Sequence, residues 1–141
     1  MKGFIPHIVK GGSASLEYKP AAAITPKVGL ALAWSSGKLA VCGATTKPDY
    51  ICMTEAASAV AAGTLIPVIP ADCHIIFAVP AQAAMTSINL GDKVTLHTDG
   101  LQVTATKTAG VAQIIDRDGT AVGDLQYVRF SEIQPAASAG S

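Results

Sequence analysis

The sequence predicts a mainly β, single-domain protein built as a barrel or sandwich of short antiparallel strands. Three observations carry that expectation. Residues 90–130 read as strand, turn, strand, turn, strand, with apolar and polar side chains alternating at period two. Turn signals recur about every 8–12 residues along the chain, the spacing of all-β domains. Stretches with a helical period are almost absent.

Along the chain, residues 1–20 read as an extended N-terminal arm: Gly11-Gly12-Ser13 and two prolines, Pro6 and Pro20, interrupt any period. Phe4, Ile5, Ile8 and Val9 give that arm apolar anchors that a solvated tail does not need. The compact β domain is expected over 21–132. Val28–Trp34 and Lys38–Cys42 form two strands across Ser35-Ser36-Gly37. In the first, Val28, Leu30, Leu32 and Trp34 share one face, while Gly29, Ala31 and Ala33 make a small face able to pack against another backbone. Tyr50–Thr54 follows the Lys47-Pro48-Asp49 turn as a further strand. Glu55–Gly63 is the one stretch with helical composition, Thr54 placed to cap it and Gly63 to end it, although Val60 is its only large apolar residue and a loop fits as well. Thr64–Ile69 and His74–Val79 are β-branched and bounded by Pro67, Pro70 and Pro80, which places them at edges or bulges, since proline cannot donate to a ladder. Asp99-Gly100 is a hairpin turn between Val94/Leu96 and Leu101/Val103/Ala105, and Asp116-Arg117-Asp118-Gly119 turns Val111–Ile115 into Ala121–Phe130. Residues 133–141 read as a flexible tail. The total is eight to ten short strands.

Composition narrows the function. The 141 residues carry ten basic and ten acidic side chains and are 50% hydrophobic, with 25 alanines diluting the large apolar content. A balanced charge argues against nucleic acid, whose binding rests on Lys and Arg neutralising phosphates. No apolar run reaches the roughly 18 residues of a membrane-spanning helix. Three cysteines, Cys42, Cys52 and Cys73, show no CxxC spacing, so neither a disulfide framework nor a zinc site is expected.

No motif announces a reaction. Cys73-His74 is adjacent on one strand, so the two side chains point to opposite faces and cannot pair as nucleophile and base. His7, His74 and His97 lack metal-ligand spacing. Asp116-Arg117-Asp118-Gly119 opens like a calcium loop, but Gln126 and Val128 stand near where the closing glutamate belongs. Gly11-Gly12-Ser13 lacks the lysine of a phosphate loop. The expectation is therefore a non-enzyme with no catalytic residue, cofactor or metal.

The order Leu16-Glu17-Tyr18-Lys19-Pro20, then Lys47-Pro48-Asp49-Tyr50-Ile51-Cys52-Met53, Val68-Ile69-Pro70 through Phe77-Ala78-Val79-Pro80, and Leu90-Gly91-Asp92-Lys93-Val94-Thr95-Leu96-His97-Thr98-Asp99-Gly100 resembles the head decoration, or capsid cement, proteins of tailed bacteriophages. The resemblance implies a virion structural protein, made in the host bacterial cytoplasm and bound to the capsid exterior. It implies the major capsid protein as partner, self-association as a homotrimer, and stabilisation of the head. With an N-terminal arm as the attachment device, Phe4, Ile5, His7, Ile8, Val9 and Tyr18 are the expected capsid contacts, and deleting residues 2–14 is expected to weaken attachment while leaving the domain folded. Two alternatives remain open at this point: a cytosolic β-barrel adaptor, or another virion part such as a head-fibre base or tail-tube element.

Overall fold

The computed structural model describes residues 2–9, 16–71 and 75–130. Its ten strands are β1 (Ile5–Val9), β2 (Glu17–Pro20), β3 (Ala31–Ser35), β4 (Lys38–Val41), β5 (Tyr50–Cys52), β6 (Leu65–Pro70), β7 (Ile75–Pro80), β8 (Lys93–Val94), β9 (Ala112–Arg117) and β10 (Leu125–Phe130). They form two five-stranded antiparallel sheets, sheet I in the order β1-β7-β10-β9-β8 and sheet II in the order β2-β6-β5-β3-β4. The result is sandwich-like and contains no helix among the described residues. Sheet II curls until its outer strands meet at a single parallel bridge, Ala21↔Leu39, and in sheet I a second such bridge, Ala81↔Val103, ties the end of β7 to the segment after β8. Neither bridge extends into a ladder, so the barrel alternative gives way to the sandwich.

The principal core lies between the sheets. Phe4, Phe77 and Phe130 stack at its centre, with Phe130 5.2 Å from Phe4 and 5.5 Å from Phe77 between ring centroids. Such tilted pairs contribute about 0.5–1.5 kcal/mol each beyond the area they bury. Ala31, Ile51 and Ile69 of sheet II face this core, whereas Leu30, Leu32, Leu39, Cys52, Ile66 and Val68 fill a second core on the concave side of the same sheet. Strand β3 thus does split into a small and a large face. Its small side, Ala31 with Ala33, meets sheet I. The β3–β4 hairpin turns through Ser36 (φ 49°) and Gly37 (φ 78°), two left-handed residues in succession, as a primed two-residue turn requires.

Three expectations need correction, and the open choice at 55–63 is decided for a loop. The N-terminal residues are no detached arm: Ile5–Val9 and Glu17–Pro20 are the edge strands of sheets I and II, and Phe4 is fully buried. The proline-bounded strands are internal, β6 between β2 and β5, and β7 between β1 and β10. Proline is tolerated because Pro70 and Pro80 end their strands, and because Pro67 accepts from the Met53 N–H one residue beyond the end of β5, so its missing donor faces a ladder that has already stopped. Residues 55–63 form no helix. Their backbone instead pairs with residues 21–26, through Val60 N–H to Ile24 O and Gly63 N–H to Ala21 O, and Val60 packs on the second core. A short segment with one apolar anchor cannot repay helix nucleation against that. Finally, the 116–119 turn lies elsewhere: β9 runs through Arg117, and residues 118–124 make the connection, pinned by Gln126 Nε2 donating to Gly119 O and Asp124 O.

The Asp99-Gly100 hairpin exists but is irregular. Thr104 N–H donates to Thr95 O and His97 N–H to Gln102 O, yet Leu96 N–H turns away to Ala44 O and Leu101 O accepts from Gly3 N–H. These residues share their backbone groups among several neighbours, which leaves only Lys93–Val94 as regular strand.

Candidate interaction surface

The six expected contact residues scatter. Phe4 points inward and contacts Phe130. Tyr18 is 61% exposed on sheet II. Ile8 and Val9 pair with Ile76 and Ile75 along β1. Only Ile5 and His7 are brought together with other residues into a surface, the outer face of sheet I.

That face alternates against the core. Along β7, Ile75, Phe77 and Val79 point inward, which leaves Ala78 outward; along β10, Gln126, Val128 and Phe130 are buried, which leaves Leu125, Tyr127 and Arg129 outward. Ala78 pairs with both Ile5 and Tyr127. Its small side chain lets the His7 and Tyr127 rings approach across β7 to 4.4 Å. The Tyr127 hydroxyl donates to Asp118 at 3.1 Å, and this bond, with the nearby carboxylate charge, raises the pKa of the phenol. Beside the ring pair lies a shallow depression of about 370 Å³ lined by Gly3, Ile5, Ala78, Gly123 and Leu125. The face therefore offers an apolar depression, two rings and a carboxylate. Sequence reasoning missed Ala78, Leu125 and Tyr127 because their partner on β1 lies about 70 or more residues earlier in the chain; the alternation of Tyr127 with the buried Gln126 and Val128 was the one local signal.

A second exposed apolar group sits on sheet II. Tyr18 lies opposite Pro67 and Leu65 opposite Pro20, so these residues share a face, and Tyr18, Leu65 and neighbouring Leu16 are 61%, 61% and 54% exposed. Three of the four sheet edges, by contrast, are blunted. β1 carries Pro6 and an irregular register, β2 carries Lys19 and Pro20, and β8 has two residues. Such edges resist strand addition, so association through side-chain faces is the physically easier route.

Among the described residues the two thiols, Cys42 and Cys52, are held neutral. Cys42 is buried and donates from Sγ to Thr46 O at 2.8 Å; burial, then the Asp49 charge, push its pKa from 9.0 up to about 12. Cys52 donates to Thr54 O, and burial raises its pKa as well. A thiol held neutral is a poor nucleophile. Cys73, His74 and residues 133–141 lie outside the described residues. No group of three or more His, Cys, Asp or Glu side chains among the described residues could hold a metal ion.

The Cys42 shift has a measurable consequence. Because the folded pKa is raised, the native state keeps a proton that the unfolded chain loses first. The stabilisation is complete below about pH 9 and is lost as pH rises towards about 12, up to roughly 4 kcal/mol at the limit. Wild-type urea midpoints are expected to fall more steeply between pH 8 and 10.5 than those of Cys42→Ser, which does not ionise there. Parallel curves would show that Cys42 does not titrate as its environment implies.

No known protein family and no curated protein sequence matches the chain. A solved structure does. The chain is similar in fold to the head fiber gp8.5 N base of bacteriophage phi29. The superposition has a TM-score of 0.55 at 21% identity, and it covers 86% of this chain and 99% of that one. At that identity the likeness is one of fold. It accounts for nearly the whole fiber base, so the shared element is the complete two-sheet unit rather than a common hairpin.

Proposed function

We propose that this protein is a structural component of a tailed-bacteriophage head, attached to the outside of the shell as a head-fibre base is, through the outer face of sheet I. The observation that carries the reading is the fold shared with 99% of the phi29 head fiber base. The surface chemistry supports it. The His7–Tyr127 ring pair and the Ile5–Leu125 depression offer aromatic and aliphatic anchor points of the kind that dominate protein interfaces.

A capsid-cement role is the second reading. It is favoured by a specific feature: apolar side chains reach the surface on both sheets, half-buried around Ile5, Leu125 and Tyr127 on one and exposed at Leu16, Tyr18 and Leu65 on the other. Two such surfaces let one copy bridge two shell subunits, or let copies associate into a trimer while gripping the major capsid protein.

Copy number separates the readings. Quantitative mass spectrometry of purified particles is expected to find this chain in every particle. A count far below that of the capsid subunit fits a fibre base; a count equal to it, or a simple fraction of it, fits cement. Absence from particles would overturn both. Tyr127→Ala removes a half-buried ring from the outer face of sheet I, outside the core, and is expected to lower occupancy about tenfold, a hot-spot loss of about 1.4 kcal/mol. Undiminished occupancy would move the attachment surface to sheet II.

A further inference from the structure

Trp34, the chain's only tryptophan, is 44% exposed, although Leu39 opposite it on β4 and Leu32 beside it on the same face of β3 are fully buried. Sealing the second core therefore does not account for the exposed part of the indole. The Trp34 backbone N–H donates to Asp49 Oδ2 at 2.9 Å, which ties β3 to the turn before β5, and the indole packs at right angles to the Tyr50 ring, 5.8 Å between centroids at 89°. The Tyr50 hydroxyl donates to Glu17 Oε1 at 3.4 Å, Lys19 Nζ stands 3.3 Å from the same oxygen, and that ammonium lies 6.0 Å from the Tyr50 ring centroid. Strands β2, β3 and β5 thus build a right-angled aromatic corner with a carboxylate, an ammonium and a phenol along one rim.

We propose that this corner is a carbohydrate-binding site, in which a neutral pyranose ring stacks on the Trp34 indole and its hydroxyls bond to Glu17, Lys19 and the Tyr50 hydroxyl. The chemistry of the ligand matches the chemistry of the corner. One face of a pyranose presents C–H groups suited to an aromatic face, and its rim presents alternating donors and acceptors. A carboxylate accepts from a hydroxyl and an ammonium donates to one, so both halves of the Glu17–Lys19 pair are usable. A wholly apolar partner would leave that ion pair desolvated without compensation, which disfavours it. Few polar groups converging on an aromatic wall are the usual make-up of a small-ligand site. The proposal stands independently of the head-attachment reading, since it uses sheet II and no residue of the sheet I face.

Trp34 is its own reporter. Titrating the full chain with chitotetraose (β-linked, N-acetylated, a stand-in for envelope glycan) and with maltoheptaose (α-linked, a stand-in for storage glucan) is expected to give a saturable change in emission with one of them. The responding arm identifies the glycan source. Calorimetry then compares variants. Trp34→Leu is expected to lose about tenfold or more in affinity, and Trp34→Phe to retain most of it. Leu90→Ser, which removes an exposed apolar side chain outside both surfaces, is expected to bind as wild type. Thermal unfolding of each variant separates lost binding from lost fold. No saturable response to either oligosaccharide, or equal affinity in Trp34→Leu, or equal loss in Leu90→Ser, would overturn the proposal.

Discussion

Phe4→Ala is expected to destabilise the domain by about 3–5 kcal/mol, the usual cost of deleting a buried phenylalanine side chain. Phe4 is fully buried, and its ring contacts Phe130, which in turn contacts Phe77 of β7. A domain of this size has about 5–15 kcal/mol of stability in all. Removing residues 2–9 goes further, because it deletes β1 as well as the ring. The freed edge would be β7, whose sequence Ile75-Ile76-Phe77-Ala78-Val79 is almost wholly apolar and is otherwise paired with β1. An unprotected edge of that character is an aggregation site. The truncated chain is thus expected to be insoluble or unfolded, where an arm-like terminus would have left a folded domain lacking only its attachment. Urea titration of Phe4→Ala, with size-exclusion chromatography of the truncated chain, checks both statements. A Phe4→Ala stability within about 1 kcal/mol of wild type, or a monomeric truncated domain, would return the N-terminus to the status of an arm.

What the sequence revealed depended on the distance over which each signal acts. The β3–β4 hairpin was legible because alternation in Val28–Trp34 and the Ser36-Gly37 turn are local features. The terminus was misread because its partner is remote: Ile5 pairs with Ala78, and Gly11-Gly12-Ser13 interrupts the only nearby period. Proline misled for a related reason. Its local meaning is a missing donor, but whether that donor is needed depends on where the neighbouring strand stops, and β5 stops beside Pro67. In Glu55–Gly63 alanine propensity pointed to a helix, and the backbone of residues 21–26 supplied better partners. The candidate surface follows the same rule. Ile5 and His7 were singled out as residues of an N-terminal attachment arm, yet the residues that complete the face come from β7 and β10. The order of segments along the chain resembled head decoration proteins of bacteriophages, whereas the likeness to a head fiber base, at 21% identity, is one of fold.

Gly29→Ala is the second substitution with a large expected effect, and it tests how the terminus is held. Gly3 and Gly29 pack backbone to backbone: a Cβ on Gly29 would lie 2.7 Å from Gly3 Cα and from Phe4 N, and one on Gly3 would lie 2.6 Å from Val28 O. Gly29 also has φ +90°, a conformation that costs an L side chain about 1–2 kcal/mol. The close approach is what aligns Phe4 N–H with Gly29 O at 2.8 Å and Gly3 N–H with Leu101 O at 2.9 Å, and those bonds carry Phe4 into the core. Overpacking adds about 1–3 kcal/mol, for a total of about 2–5 kcal/mol. Gly37→Ala supplies the control. Gly37 has φ +78°, but a Cβ there would meet nothing within 4 Å, so only the conformational cost of about 1–2 kcal/mol applies. The difference between the two variants isolates the clash from the backbone strain. Combining Gly29→Ala with Phe4→Ala is expected to be less than additive, because both changes release the same segment. Additivity would mean that the glycine contact and the phenylalanine anchor stabilise the fold independently of one another.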